Sequence, residues 1–283
     1  MTSIKKVGVL GSGIMGSGLA EVVARAGLDV VVRSRTQAGA DAVLAKVDSG
    51  LARHVAKERM TEEERQAILG RISVTDHLGQ LADCDLVIES VVEDLEVKRA
   101  LFAELEQIVK PEGILATNTS TLPVVELAMM TQRPSQVCGI HFFNPAPAMS
   151  LVEIIRPLTA SDETIATAAG FVEACGKNAV HVEDRAGFIV NALLFPYLNN
   201  AVRMLENGTA SMDDIDAAMM GGCNFPMGPF ALLDLVGLDT SVSILDALYA
   251  EFSDANYAAV PLLRRMVAAG HLGRKSKQGF RTY

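Results

Sequence analysis

The sequence predicts an α/β fold in two parts: a mostly parallel sheet domain with an inserted helical hairpin, then an all-α domain. Three observations carry this prediction. Short apolar β runs alternate with helical patterns from residue 7 to residue 182, the order that builds a parallel sheet. The first of those runs opens into Gly11-x-Gly13-x-x-Gly16 and then a helix. Beyond Asp184, glycine turns separate helical patterns only, which places a boundary near Arg185 and divides the chain into domains 1–185 and 186–283.

The opening unit is the most informative. Residues 7–10 are an apolar β run, residues 14–25 a helix with few breakers, and residues 29–33 a second β run. Strand, glycine turn, helix and strand together form the Rossmann-type dinucleotide-binding fingerprint. Gly11 permits the tight turn, Gly13 lets the backbone approach a pyrophosphate, and Gly16 lets the helix pack near the strand. The anion then sits on the unpaired N–H groups of the helix start, so Gly11, Gly13, Ile14, Met15 and Gly16 are expected to bind the cofactor.

The next stretch, Arg33-Ser34-Arg35-Thr36, stands where an acidic residue would accept hydrogen bonds from the ribose hydroxyls of NAD. None is present. Ser34 with Arg33 and Arg35 suits a 2′-phosphate, which favours NADP(H) with NAD(H) as the alternative; otherwise these are solvated side chains at a strand end.

Val43, Val47, Leu51 and Val55 recur every fourth position and describe one helical stripe over residues 38–56. Thr61 with Glu64 supplies a capping box for a second helix running to about residue 71. This hairpin carries Arg53, His54, Lys57 and Arg59 near its turn, as either a dock for an acidic ligand or a solvated basic face.

Residues 72–74 and 84–89 read as strands, 90–109 as a helix, and 113–117 as a strand that ends in Asn118-Thr119-Ser120-Thr121. Small polar residues at the carboxyl end of a parallel strand suit a crevice site. Residues 137–142 deliver His141 and then Phe143-Asn144-Pro145; residues 151–155 hold Glu153; a helix over 161–175 and a strand over 179–182 complete the domain. The helical domain follows with helices at 188–206, 213–220, 232–252 and 261–269, the second capped by Ser211.

The net charge of −9 argues against nucleic acid or an anionic membrane as partner. No stretch approaches the ~18 continuous apolar residues of a membrane span. Cys84, Cys138, Cys175 and Cys223 form no C-x-x-C pair and read as reduced core thiols. These features point to a cytoplasmic enzyme, with no metal ligand set expected.

His141 is the acid/base candidate, because histidine alone titrates unperturbed near neutral pH. A lone strand histidine is more often a satisfied core residue. Glu153 raises this one: on a neighbouring antiparallel strand its carboxylate would face the ring and hold one tautomer, and a glutamate in an apolar run needs a polar neighbour.

These motifs resemble the 3-hydroxyacyl-CoA dehydrogenase family, most closely its short bacterial 3-hydroxybutyryl-CoA dehydrogenases. The resemblance runs the whole length, through Gly11 to Gly18, Asp85-Leu86-Val87-Ile88-Glu89, Asn118-Thr119-Ser120, His141-Phe142-Phe143-Asn144-Pro145, Gly187-Phe188-Ile189-Val190-Asn191, Pro226-Met227-Gly228-Pro229 and Leu272-Gly273-Arg274-Lys275-Ser276. It implies His141 as general base toward a 3-hydroxyl, Glu153 orienting its ring, and Ser120 and Asn191 holding substrate oxygens. It also implies cofactor contacts from Glu93, Lys98, Asn118 and Asn144, although Glu93 and Lys98 read equally as a solvated helix start. The hairpin would meet coenzyme A, with Arg53 and Lys57 as candidates for its phosphates, and the helical domain would form a homodimer. Ser34 departs from the acidic residue of NAD-using relatives. Two other readings stand beside this one. A β-hydroxyacid dehydrogenase acting on a free acid relies on a lysine where this chain, beside Asn191, offers Asn and Ala. A non-catalytic dinucleotide-binding relative would lack the four polar residues present here.

Overall fold

The computed structural model describes residues 4–283. The chain divides into two compact units, one ending at Asp184 and one running from Arg185 to Tyr283.

The first unit is built on an eight-stranded sheet in the order β3-β2-β1-β4-β5-β6-β7-β8. Strands β1 (Lys6–Leu10), β2 (Asp29–Arg33), β3 (Ile72–Thr75), β4 (Leu86–Glu89), β5 (Ile114–Thr117) and β6 (Val137–Phe142) are parallel. Strand β7 (Leu151–Arg156) runs antiparallel to β6, and β8 (Asn178–Glu183) follows β7, so the sheet reverses direction once, between β6 and β7. The eight residues 143–150 join β6 to β7 without a crossover because the two strands are antiparallel; the parallel pairs need crossovers. Helices α1 (Ile14–Arg25), α4 (Leu95–Ile108), the short α5 (Val124–Ala128) and α6 (Asp162–Ala174) make four of those connections. The strands carry Val7, Val9, Val30, Val32, Ile88, Ile140 and Ile154 into one core with Leu19, Val23 and Phe171 of the helices.

Between β2 and β3 lies the expected hairpin, α2 (Gln37–Ala56) and α3 (Glu62–Leu69). Thr61 accepts from the Glu64 N–H while the Glu64 carboxylate accepts from the Thr61 N–H, so both arms of the capping box form. Val43, Val47 and Leu51 are buried along the stripe, and Arg65 of α3 donates to Asp48 of α2 at 2.8 Å.

Two expectations need correction, one for helix α4 and one for the four cysteines. Helix α4 starts at Leu95, not at Ser90, because the Glu89 carboxylate takes the Val91 N–H (2.6 Å) and Asp94 caps the helix through the Val97 N–H (2.9 Å). Residues 90–94 are therefore a loop over the carboxyl end of β4. The cysteines are all free, but only Cys84 and Cys138 are buried, while Cys175 is half-buried and Cys223 exposed. Burial pushes the Cys84 and Cys138 thiols up to about 12, which leaves them as unreactive apolar side chains.

The second unit contains α7 (Val190–Glu206), α8 (Met212–Cys223), α9 (Pro229–Val236), α10 (Leu238–Phe252) and α11 (Pro261–Ala268), around a core of Phe195, Leu198, Val202, Phe230, Leu245, Leu248 and Leu263. The single helix expected over 232–252 is two, α9 and α10. Gly237 between them has φ +106°, a conformation that glycine alone adopts readily. Asp234 of α9 ties down the chain end, accepting from the Phe280 and Arg281 N–H groups at 2.8 Å each. No helix among the described residues is long and apolar enough to cross a membrane.

Candidate active site

The strand order turns back between β1 and β4, which opens a crevice at the carboxyl ends of those strands. Gly11 and Ser90 meet there. A Cβ on Gly11 would lie 2.2 Å from the Ser90 carbonyl oxygen, and one on Gly16 would lie 2.0 Å from the Gly11 carbonyl oxygen, so both positions admit only glycine. Gly13 differs, because a Cβ there would meet nothing within 4 Å. The turn is thus closed on the sheet side and open toward the helix start, where the N–H groups of Ile14 and Met15 lie among those left without intrahelical partners. An open glycine turn on a helix N-terminus fits a pyrophosphate.

Ser34 follows β2 and is buried, its hydroxyl donating to Ser12 Oγ at 3.0 Å. Arg33 turns away, its Nε donating to the Asp76 carbonyl at 3.2 Å, while Arg35 is exposed. The structure therefore brings Ser34 to the glycine turn and sends Arg33 to the end of β3.

Along the same edge, β5 releases Asn118 and Ser120, and β6 delivers His141. The antiparallel register sets His141 directly opposite Glu153. Nδ1 of His141 lies 2.7 Å from Glu153 Oε2, and Nε2 lies 3.1 Å from Ser120 Oγ. Both members of the His–Glu pair are almost wholly buried. With an ionised carboxylate at Nδ1, that nitrogen carries the ring proton, which leaves Nε2 to accept or release a proton on the Ser120 side. The Phe143 ring packs against the imidazole at 4.5 Å. Asn118 Oδ1 accepts the Phe142 N–H (2.8 Å), tying β5 to β6 beside the histidine.

Lys98 does not lie on a solvated helix face. Its ammonium is fully buried and donates to both Glu89 oxygens at 2.8 and 2.9 Å, with Glu93 Oε2 at 3.0 Å. Glu93 Oε1 accepts the Ser120 N–H at 2.9 Å and the Thr119 hydroxyl. Burial raises the Glu93 carboxyl, but the Lys98 charge and the hydrogen bonds from Thr119 and Ser120 outweigh it and hold the group below the ordinary carboxylate range.

Two further residues support the site without having been named as site candidates from the sequence. Glu89 is fully buried at the end of β4, where the Thr117 hydroxyl donates to it at 2.7 Å. The signal was available: a carboxylate ending the run Leu86-Val87-Ile88, the same pattern that marks Glu153. Lys177, just before β8, donates to the carbonyls of Ala146 (2.9 Å), Pro147 (3.0 Å) and Met149 (2.8 Å), closing the turn between β6 and β7. Asn144 lies in that turn, exposed. Arg53 and Lys57 are exposed near the hairpin turn, and Asn191 is buried on the first turn of α7 in the second unit.

Comparison with known proteins gives this geometry a family. Residues 6–185 match the 3-hydroxyacyl-CoA dehydrogenase NAD-binding domain, and residues 187–283 match the C-terminal domain of 3-hydroxyacyl-CoA dehydrogenase. The chain belongs to the 3-hydroxyacyl-CoA dehydrogenase family.

This 3-hydroxyacyl-CoA dehydrogenase is 47% identical to a 3-hydroxybutyryl-CoA dehydrogenase of Mycobacterium tuberculosis, over 99% of each chain. It is 45% identical to one of Clostridioides difficile, over 98% of this chain and 99% of that one. The crystal structure of an (S)-3-hydroxybutyryl-CoA dehydrogenase from Ralstonia eutropha superposes with a TM-score of 0.97 at 40% identity, covering 99% of each chain. As a 3-hydroxyacyl-CoA dehydrogenase the protein is an oxidoreductase, and its NAD-binding domain makes the cofactor a nicotinamide dinucleotide.

Proposed function

We propose that this dehydrogenase interconverts (S)-3-hydroxybutyryl-CoA and acetoacetyl-CoA, with NADP(H) preferred over NAD(H) and His141 as the acid/base. The observation that carries the reading is the line Ser120 Oγ, His141 Nε2, His141 Nδ1, Glu153 Oε2, at 3.1 and 2.7 Å.

The dinucleotide supplies the hydride in reduction and accepts it in oxidation. In oxidation, His141 Nε2 takes the proton of the 3-hydroxyl, and Glu153 stabilises the imidazolium that forms. In reduction, His141 starts protonated and gives that proton to the 3-keto oxygen. The Ser120 hydroxyl donates to the same oxygen as its charge develops, a preorganised donor in a site where burial strengthens it. Asn191 is assigned to a second substrate oxygen, and Arg53 and Lys57 to coenzyme A phosphates, on the family resemblance. Gly11, Gly13, Ile14, Met15 and Gly16 would hold the pyrophosphate, with Glu93, Asn118 and Asn144 as further cofactor contacts; Lys98, fully buried and already bonded to Glu89 and Glu93, would act only by holding Glu93.

Initial rates of acetoacetyl-CoA reduction with NADPH and with NADH test this reading. A higher kcat/KM with NADPH supports it. A higher value with NADH reduces Ser34 and Arg35 to a strand end, and no turnover with either cofactor rejects the substrate.

The cofactor preference has a local test. A Cβ on Gly39 would lie 2.5 Å from Ser34 Oγ, so glycine at the start of α2 makes the room that the Ser34 hydroxyl occupies. A carboxylate at position 34 would accept ribose hydroxyls and repel a 2′-phosphate. Ser34→Asp is therefore expected to lower the NADPH-to-NADH ratio of kcat/KM by about tenfold or more, the worth of one hydrogen bond to a charged group. An unchanged ratio removes the explanation.

The protein is further proposed to act in the cytoplasm as a homodimer. Light scattering at micromolar concentration is expected to give twice 30.1 kDa, and a monomer mass overturns the proposal.

A further inference from the structure

We infer that Glu89 is a positioning residue for the reaction, holding Ser120 against His141 through Lys98 and Glu93; this rests on the acid/base reading of His141 and Ser120. Glu89 lies at the end of β4, fully buried, and accepts four hydrogen bonds: two from Lys98, one from the Thr117 hydroxyl at 2.7 Å and one from the Val91 N–H at 2.6 Å. Lys98 in turn has contacts for all three of its N–H groups, the third with Glu93 Oε2 at 3.0 Å. The pair is thus completely satisfied.

A buried ion pair is a weak source of stability, because desolvation offsets most of the attraction; what such a pair provides well is a fixed geometry. Here the geometry it fixes is that of Glu93. That side chain is 40% exposed in the loop between β4 and α4 and would sample several rotamers without a tether. Held by the Lys98 ammonium through one oxygen, it presents the other to the Ser120 N–H at 2.9 Å. Ser120 stands in the irregular segment between β5 and α5, where no strand ladder fixes its backbone, and its hydroxyl lies 3.1 Å from His141 Nε2. The contacts therefore run without a gap from the core of the sheet to the reactive nitrogen. Releasing their far end lets Ser120 drift, and small misplacements at a reacting centre are costly.

Glu89→Gln tests this, because it keeps the shape but replaces one acceptor of Lys98 by an NH₂ group. It is to be assayed with acetoacetyl-CoA and NADPH or NADH in two backgrounds, the natural sequence and Ser120→Ala. The expected result is a fall in kcat of about ten- to a hundredfold with KM little changed, and little further loss when Ser120 is already alanine. An equal loss in both backgrounds means that Glu89 acts on the fold and not through Ser120, and overturns the inference. So does an unchanged kcat. If Glu89→Gln fails to fold, Thr117→Val removes a donor to Glu89 together with the acceptor of the Thr119 N–H and is expected to lower kcat, while Thr117→Ser restores it; a Val variant of full activity overturns the inference. If the unmutated protein does not reduce acetoacetyl-CoA, the substrate reading fails separately. The Ser120 backbone amide resonance in ¹⁵N-labelled protein then decides: it moves in Glu89→Gln if the tether exists, and an unmoved resonance overturns it.

Discussion

His141→Ala is expected to lower kcat/KM for acetoacetyl-CoA reduction by about a hundred- to ten-thousandfold, the range that positioned acid/base groups contribute. The loss should fall on kcat, because the proton assigned to His141 in the proposed reaction moves in the transition state, whereas the bulk of an acyl-CoA would be held elsewhere. Glu153→Gln should lose less, since it leaves the imidazole in place but takes away the charge 2.7 Å from Nδ1 that fixes the tautomer. Steady-state rates over a range of pH check both variants. A His141→Ala enzyme within a few-fold of the unmutated rate would remove the acid/base assignment.

Lys98→Met is expected to be among the most destabilising single substitutions in the first unit, by about 3–5 kcal/mol. The cause is not lost attraction but what remains: Glu89, with no exposure to water, keeps a carboxylate and loses two of its four hydrogen bonds. Glu93 loses its tether as well. Urea unfolding followed by far-UV circular dichroism measures the effect, read from the midpoint at an unchanged slope. Lys110→Met is the control. Lys110 pairs with Asp85 at 2.6 Å but both side chains reach solvent, so its loss should cost about 1 kcal/mol or less. Equal effects of the two substitutions would mean that burial of the Lys98 pair carries no special penalty.

Local signals fixed much of the sheet unit because they agreed with one another. Residues 14–25 and 29–33 are bounded in the structure as the glycine turn and the β run predict, since there the turn, the helix pattern and the apolar run point the same way. The facing of His141 and Glu153 was legible for a similar reason: one histidine and one carboxylate in adjacent apolar runs leave few other ways to satisfy both. Lys98 was not legible. A lysine in Leu95-Glu96-Val97-Lys98-Arg99 reads as solvated, and only its partner nine positions earlier, on a different element, explains its burial. The break at Gly237 was hidden because the apolar spacing of 232–252 continues across it. What stops the helix is a backbone conformation, not a change of pattern. Cys223 reads as a core thiol from its residue type, yet it falls at the end of α8, where the helix has run out of neighbours to pack on.

The Lys177 clamp also makes the site depend on a late stretch of the chain. His141 and Glu153 lie on adjacent strands, but the turn that joins those strands is fastened by a side chain that follows α6, roughly thirty residues further along. As the chain leaves the ribosome, the histidine and its carboxylate emerge well before the lysine that secures their connection. The dinucleotide turn at Gly11 to Gly16 needs nothing beyond Ser90 to be closed on the sheet side. The glycine turn is thus closed by contacts within the first third of the chain, whereas the His141–Glu153 pair draws on a side chain that comes just before the sheet's final strand.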